Sequence, residues 1–184
     1  MIEIEYYENG NVMYEIPFVN GKRHGVAKGY YESGNIEREI SFENDMQHGI
    51  ERWYNKNGQV MQEIPFVNDK RHGVVKYYYE NGTIRLEFPY ENGKLHGVEK
   101  WYYENGNLEC EILFDNGKRH GVAKEYDENG NLIKEILYEN GELKTGGKNE
   151  NNWARNSDNK WEKIYRVYEI CLMFSRMVGI GGKS

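Results

Sequence analysis

Short runs of alternating apolar and polar residues fill most of the chain, and most of them end at a pair that contains glycine. Val26–Tyr31 and Ile36–Phe42 are two such runs, and Ser33-Gly34 separates them. β-Prone runs on either side of Asn-Gly or a related pair are the strongest short-range signal for a hairpin. The pattern therefore predicts a β-hairpin with a two-residue turn at Ser33-Gly34.

This unit recurs along the chain with a constant step of 24 residues. The dipeptide His-Gly occurs five times and the hairpin-turn glycine six times, without an insertion in either series. Internal repeats of this length are typical of stacked arrays. They predict an all-β fold, an elongated single-layer antiparallel sheet of six stacked β-hairpins over residues 1–145, in which His-Gly shapes the turn between hairpins. The glycines expected to form turns are Gly25, Gly34, Gly49, Gly58, Gly73, Gly82, Gly97, Gly106, Gly121 and Gly130.

The register of the hairpin aligns opposite charges across its two strands. Counting back from the turn pairs Tyr31 with Ile36, and Lys28 with Glu39. Opposite charges directly across an antiparallel pair stabilise it, so register and charge support each other. The first unit departs from the pattern, because Ile4 takes the place of the cation. The expected ladder pairs are Lys28–Glu39, Arg52–Glu63, Lys76–Glu87, Lys100–Glu111 and Lys124–Glu135.

Aromatic residues recur at neighbouring positions of the repeat and are the candidate contact residues. Because side chains alternate between the faces of a sheet, Trp53 is expected on the face of Ile40, and Tyr30 on the other face with the ladder. Tyrosine is common at protein interfaces. The alternative is that these columns pack between successive repeats. The candidate partner-binding residues are Tyr30, Trp53, Tyr54, Tyr78, Trp101 and Tyr102.

All three prolines of the chain occupy one position of the second strand of the hairpin. They are Pro17, Pro65 and Pro89. Proline cannot donate a backbone hydrogen bond to a ladder. A bulge or bend is therefore expected at this position, near the His-Gly end of the hairpin.

The residues after the array have a different character. Residues 146–158 are rich in glycine and asparagine and are expected to form a linker. Apolar residues then recur at helical spacing between Lys160 and Val178. They predict an amphipathic helix over 159–179 that caps the open end of the array, followed by a disordered tail at 180–184. A helix that binds a membrane surface or a partner is the alternative.

Charge divides the chain at the same place. Residues 1–145 carry 17 basic and 26 acidic side chains, a net charge of −9, and the remainder carries +3. An acidic array argues against nucleic acid and against an anionic membrane, and it is compatible with a basic protein partner. Glutamates on the first strand oppose pairing at its edge, so the expected state is a monomer or an edge-to-edge dimer.

Cysteine content and the start of the chain bear on the compartment. Two cysteines are too few for a disulfide scaffold, which favours a reducing environment. The first residues lack the basic and apolar regions of a secretory signal. The expectation is a soluble cytoplasmic protein.

The recurrent histidines and glutamates do not predict a metal site or a catalytic site. Each repeat adds two strands, so equivalent side chains lie about 9–10 Å apart, too far for two histidines to share a zinc ion bound at about 2 Å. Glutamates in identical surroundings lack the asymmetry that acid–base catalysis requires. We therefore expect no enzyme activity, and no catalytic, cofactor-binding or metal-binding residue.

Two sequence motifs link the repeat to a known family. The unit from Trp101 to Lys124 contains Tyr-Tyr-Glu-Asn-Gly and Asn-Gly-Lys-Arg-His-Gly. It resembles a MORN repeat, in particular the bacterial variant found in YwqK-type antitoxins. The resemblance implies a β-hairpin array that acts as a non-catalytic protein–protein interaction module, and more sharply an antitoxin or immunity-like protein that binds and neutralises a toxin. A membrane-associated MORN scaffold that uses the C-terminal helix is the alternative.

Overall fold

The computed structural model describes residues 1–144. These residues form one antiparallel β-sheet, and none of them belongs to a helix. The prediction of an all-β, single-layer antiparallel sheet built from six hairpins is confirmed. The expected linker at 146–158, helix at 159–179 and tail at 180–184 lie outside the described residues. No helix in the described part is long and apolar enough to cross a bilayer.

Each of the six repeats contributes two long strands and one strand of two residues. Each long strand pairs with the next long strand along the chain, so twelve of them form an antiparallel meander. The strands are β1 (Ile2–Tyr6), β2 (Val12–Val19), β3 (Lys22–Arg23), β4 (Gly25–Tyr30), β5 (Ile36–Glu43), β6 (Met46–Gln47), β7 (Gly49–Tyr54), β8 (Val60–Val67), β9 (Lys70–Arg71), β10 (Gly73–Tyr78), β11 (Ile84–Glu91), β12 (Lys94–Leu95), β13 (Gly97–Tyr102), β14 (Leu108–Asp115), β15 (Lys118–Arg119), β16 (Gly121–Tyr126), β17 (Leu132–Glu139) and β18 (Glu142–Leu143).

The hairpin loop has three residues, and the predicted two-residue turn was wrong. The Tyr31 amide donates to the Asn35 carbonyl at 2.9 Å, so these two residues close the loop and Ile36 lies opposite Tyr30. Gly34, with a φ of 91°, is the last loop residue, as expected for a three-residue loop whose final position is left-handed. A bulge between Gly29 and Tyr30 then restores the predicted register, with Lys28 opposite Glu39.

Successive hairpins are joined by a two-residue turn, and His-Gly does not form it. Asn20 and Gly21 both have positive φ, 51° and 76°, which is the conformation of a type I′ turn. The prediction that His-Gly shapes this turn was therefore wrong. Asn-Gly or Asn-Asp takes this place in each of the six repeats, because asparagine, aspartate and glycine tolerate positive φ.

His-Gly instead forms a bulge that follows the short strand. Phe42 pairs with Gln47 and Glu39 pairs with Arg52, so the two residues between these pairs on one strand lie opposite four residues on the other. The two additional residues bend the strand away from its neighbour. At the same junction in the next repeat the His72 amide donates to the Pro65 carbonyl at 3.0 Å. The expectation of a bulge opposite the proline column agrees with this geometry.

The glycine of the bulge is required for two reasons. Gly73 has a φ of 108°, and a Cβ atom placed on it would lie 3.1 Å from Cγ of Pro65. Left-handed backbone disfavours any residue with a side chain, and a Cβ atom at this position would fit only if the proline ring moved by a few tenths of an ångström. The bulge, the glycine and the proline therefore form one packed unit at the junction between repeats.

The two faces of the sheet are buried to different degrees. On the packed face lie Ala27, Ile40, Phe42 and their equivalents. Ile64 and Val75 on this face are 3% and 2% exposed, although the sheet has no second layer. Side chains of neighbouring repeats therefore cover one another, as in other solenoids. The other face, here the open face, carries Val26, Lys28, Glu39 and their equivalents.

The two reasons for the bulge glycine can be separated by substitution. Gly82 is the hairpin-loop glycine of its repeat and serves as the comparison. Gly82→Ala should lower the free energy of unfolding by about 1 kcal/mol, because Gly82 has positive φ but no atom lies within 4 Å of the added Cβ. Gly73→Ala should lower it by about 3 kcal/mol, since the Cβ also meets Pro65. Urea denaturation of the full chain measures both values. Equal losses would contradict the packing role of the Gly73–Pro65 contact.

Candidate functional site

The predicted ladder pairs join into one continuous row across the open face. Lys28 lies opposite Glu39 in its own hairpin and opposite Glu15 in the preceding hairpin. The same arrangement holds in the following repeats, so every cation lies between two carboxylates. We call this the charge row; it consists of Glu15, Lys28, Glu39, Arg52, Glu63, Lys76, Glu87, Lys100, Glu111, Lys124 and Glu135.

Several neighbours in the charge row are in direct contact. Arg52 Nε lies 2.8 Å from Glu63 Oε1, and Lys124 Nζ lies 3.6 Å from Glu111 Oε1 across a repeat junction. Burial alone would raise the pKa of Glu63, but hydrogen bonds from Arg52 and Tyr78 outweigh it and lower the pKa. Single half-exposed pairs contribute little stability. The continuous alternation matters more, because it favours the observed register of each strand pair from β2 to β17.

The predicted tyrosine column contacts the charge row. The Tyr78 hydroxyl donates to Glu63 at 2.8 Å, and the Tyr102 hydroxyl donates to Glu87 at 2.9 Å. Tyr30 and Tyr54 make the same contact with Glu15 and Glu39. Burial and these hydrogen bonds raise the pKa of each of the four phenols to about 12. Each of these tyrosines therefore connects its repeat to the preceding one.

The predicted tryptophans lie on the opposite face from the tyrosine–glutamate contacts. Trp53 and Trp101 belong to the packed face, where Trp101 is only 7% exposed. Their indole N–H groups donate to Glu51 at 2.7 Å and to Glu99 at 2.5 Å. The six predicted contact residues therefore do not form one surface. Their role in partner binding stays a prediction.

Sequence analysis missed the two buried glutamates of the packed face. Glu51 and Glu99 occupy the position that Ala27 and Val75 hold in other repeats. Glu99 is fully buried, and its Oε2 atom has no hydrogen-bond partner among the described residues. Burial raises the pKa of Glu99 to about 7, against the opposing effects of Trp101 and Arg119. The available signal was Glu-x-Trp, which occurs only in these two repeats; the first repeat also has a glutamate in this column, Glu3, but Glu5 takes the place of the tryptophan.

A row of exposed apolar side chains, here the apolar stripe, crosses the open face beside the charge row. Val26 and Ser41 face each other two residues from Lys28 and Glu39, and equivalent residues continue this pairing along the array. Apart from the prolines and Ser41, its members are between 36% and 61% exposed. The stripe consists of Ile2, Pro17, Val26, Ser41, Ile50, Pro65, Val74, Pro89, Val98, Leu113, Val122 and Leu137.

The loops of the hairpins present a row of carboxylates at one side of the array. Five of the six loops carry an exposed glutamate, and Lys56 replaces it in the third. None of these carboxylates makes an ion pair within residues 1–144. Asparagine side chains hold the loop backbones; Asn107 Nδ2, for example, donates to the Glu128 carbonyl at 2.7 Å. We call these glutamates the acidic tips; they are Glu8, Glu32, Glu80, Glu104 and Glu128.

The groups with potential chemistry are dispersed or suppressed in the described part. Burial raises the pKa of the Cys110 thiol to about 12, so the thiolate nucleophile is scarce at neutral pH. Within residues 1–144, no three histidine, cysteine, aspartate or glutamate side chains come close enough together to hold a metal ion.

Stability should depend on pH through Glu99. Its pKa is raised from 4.5 to about 7, so the stability provided by the neutral carboxyl is complete below about pH 4.5 and is lost as the pH rises through 7. The free energy of unfolding of the wild type should therefore fall by about 3 kcal/mol between pH 5 and pH 8 because of Glu99, and Glu99→Gln should remove this fall. Glu51→Gln is the matched control and should give a smaller change, because both oxygens of Glu51 accept hydrogen bonds. A free energy of unfolding that does not change with pH in the wild type, and that follows the same profile in Glu99→Gln, would contradict this role.

The tyrosine–glutamate hydrogen bonds predict that removing the hydroxyl at equivalent positions of two repeats has different effects on stability. Tyr78→Phe should lower the free energy of unfolding by about 1–2 kcal/mol, because it removes a hydrogen bond to a carboxylate. Tyr6→Phe should change it by less than about 0.5 kcal/mol, since the Tyr6 side chain is 59% exposed. Thermal or urea unfolding compares the two, and similar losses would exclude the proposed connection between repeats.

Comparison with known proteins agrees with the repeat architecture. The family profile described as MORN repeat variant matches six segments, residues 1–20, 23–44, 47–68, 71–94, 95–116 and 119–144. No curated protein matches the chain significantly. MORN repeats suggest a protein-binding or scaffold role. The finer resemblance to YwqK-type antitoxins stays a prediction. Because the six matched segments cover most of the chain, the protein belongs to the MORN repeat variant family.

Proposed function

We propose that this chain is a non-catalytic, cytoplasmic protein-binding module that neutralises a basic toxin, as an antitoxin or immunity protein does. The observation that carries the proposal is the row of acidic tips. These five carboxylates are exposed, make no ion pair in the described part and recur along one side of the array.

The distribution of charge supports a basic partner. The charge row contains six carboxylates and five cations, so it contributes little to the net charge of −9 of the array. Much of the uncompensated negative charge therefore lies elsewhere, and the acidic tips are its most regular part. Complementary charge raises the rate of association with an oppositely charged protein.

The backbone of the acidic tips is fixed before a partner arrives. Asn11 of the first loop donates to the Glu32 carbonyl at 2.7 Å, and Gln59 of the third donates to the Glu80 carbonyl at 3.1 Å. The carboxylates of adjacent repeats are therefore presented about 10 Å apart, which is two strand widths, and Lys56 interrupts the row between Glu32 and Glu80. A surface that is already ordered loses less conformational entropy on binding.

The surroundings of the titratable groups support a binding role over a catalytic one. The carboxylates of the charge row share the same neighbours from repeat to repeat. Acid–base catalysis by two carboxylates needs different environments for the two. Glu51 and Glu99, whose environments are clearly different, are 6% and 0% exposed and so are out of reach of a substrate.

The partner can be sought with a matched pair of charge variants. The full chain and the triple variant Glu80→Gln, Glu104→Gln, Glu128→Gln would each be used to capture proteins from the native lysate. We expect a basic protein that is released by moderate salt and binds the triple variant at least about tenfold more weakly. The control triple variant Glu3→Gln, Glu5→Gln, Glu142→Gln makes the same charge change away from the tips and should retain the protein.

Two results would contradict the proposal. An association insensitive to salt and to the tip substitutions would remove the electrostatic basis. A captured protein that does not impair growth when expressed alone, or whose toxicity this chain does not relieve on co-expression, would exclude the antitoxin role while leaving the binding role in place.

A further inference from the structure

We infer that the open faces of two copies pack against each other, so that the apolar stripe is the interface of a two-fold symmetric homodimer. This inference goes beyond the proposed function and uses a different surface, because the acidic tips lie at the loops and outside the stripe.

The first observation is the continuity of the stripe. Isolated exposed apolar residues are ordinary on a protein surface, whereas contiguous apolar patches mark interaction sites. Here an apolar residue stands at the same level on eleven of twelve adjacent strands, and Ser41 is the single polar member. Twelve strands at about 4.8 Å make the stripe about 53 Å long.

The second observation is the alternation of carboxylates and cations on successive strands of the charge row. Consider a two-fold axis parallel to the strands, between β8 and β10 at the centre of the meander. It reverses the order of the strands, so the first strand faces the twelfth of the partner and the sixth faces the seventh. Carboxylates of the charge row lie on even strands and its cations on odd strands. Each charge therefore faces an opposite charge, except Glu135, which faces the partner's Ile4. Glu63 then faces the partner's Lys76, and Glu39 faces the partner's Lys100.

The same operation places the apolar stripe on itself. Pro65 faces the partner's Val74, and Ile50 faces the partner's Pro89, while the equivalent pairs continue to both ends. The interface is isologous, as in most homodimers. Displacement by one strand would place carboxylate on carboxylate and cation on cation, so the charge row opposes the neighbouring registers.

The spacing of the rows favours a second copy over other occupants. A helix lying along the stripe rises about 5.4 Å per turn, which differs from the strand spacing by about 0.6 Å and accumulates more than one strand of error over the array. A second sheet has the same spacing of about 4.8 Å and stays in register throughout. A second copy also supplies the alternating charges in the opposite phase.

The available area is sufficient for a stable interface. A strip about 53 Å long and 15 Å wide, which includes the stripe and the charge row, covers about 800 Å² per copy, the usual area of a specific protein interface. Two sheets that pack face to face keep their strands within about 30° of each other. An axis parallel to the strands is consistent with this aligned packing.

Light scattering coupled to sizing of the full chain tests the inference. We expect twice the chain mass of 21.8 kDa at micromolar concentration. The double variant Val74→Asp, Val98→Asp should raise the dimer dissociation constant at least about 100-fold, because it buries two carboxylates in the stripe. Leu132→Asp, an exposed apolar position outside the stripe, is the control and should leave the dimer intact. Circular dichroism checks that both variants fold.

A zero-length carbodiimide cross-link identifies the arrangement. Glu39 and Lys100 lie on strands five apart in one sheet, about 24 Å, so only a second copy can place them in contact. Cross-linked Glu39–Lys100 and Glu111–Lys28 peptides in the wild type, and their loss in the double variant, would support the inference. A monomer, or a dimer that lacks these cross-links or survives the double variant, would overturn it.

Discussion

The glutamate that recurs every 24 residues, from Glu15 to Glu135, is the point at which one repeat is joined to the next. From Glu39 to Glu111 a cation lies opposite it on both neighbouring strands, and from Glu15 to Glu111 it also accepts a hydrogen bond from the tyrosine of the next repeat. A single-layer sheet has no second layer against which to pack. Its stability therefore depends on contacts between neighbours, and this glutamate gathers three of them.

The repeat, the hairpins and the opposition of Lys28 to Glu39 were predictable because they follow from periodicity and alternation. The loop was misjudged by one residue, since Gly34 is the third loop position and the sequence alone does not give the phase of the turn. His-Gly was assigned to the wrong reversal because Asn20-Gly21 and His24-Gly25 are both glycine pairs. Only the backbone shows which pair has two consecutive positive φ values and which forms the bulge.

The candidate site was only partly predictable, because the positions that recur in every repeat indicate the fold, whereas the buried glutamates are exceptions to that recurrence. Glu51 and Glu99 depart from their column in company with Trp53 and Trp101, and that joint departure marks a pair of contacting residues. The tyrosines and tryptophans looked like one aromatic surface and are divided between two faces. The packed face is largely occupied by its own side chains, so the apolar stripe and the acidic tips remain for other molecules.

Coupling of adjacent repeats through the recurrent glutamate holds this sheet together, and amide hydrogen exchange of the full chain carrying Glu87→Ala tests this coupling most directly. Glu87 contacts Lys76 in its own hairpin and Tyr102 in the next. We predict faster exchange in both hairpins that meet at β11 and β13, with the distant first repeat unchanged. Faster exchange confined to the hairpin that contains residue 87, or no change in either hairpin, would contradict the account.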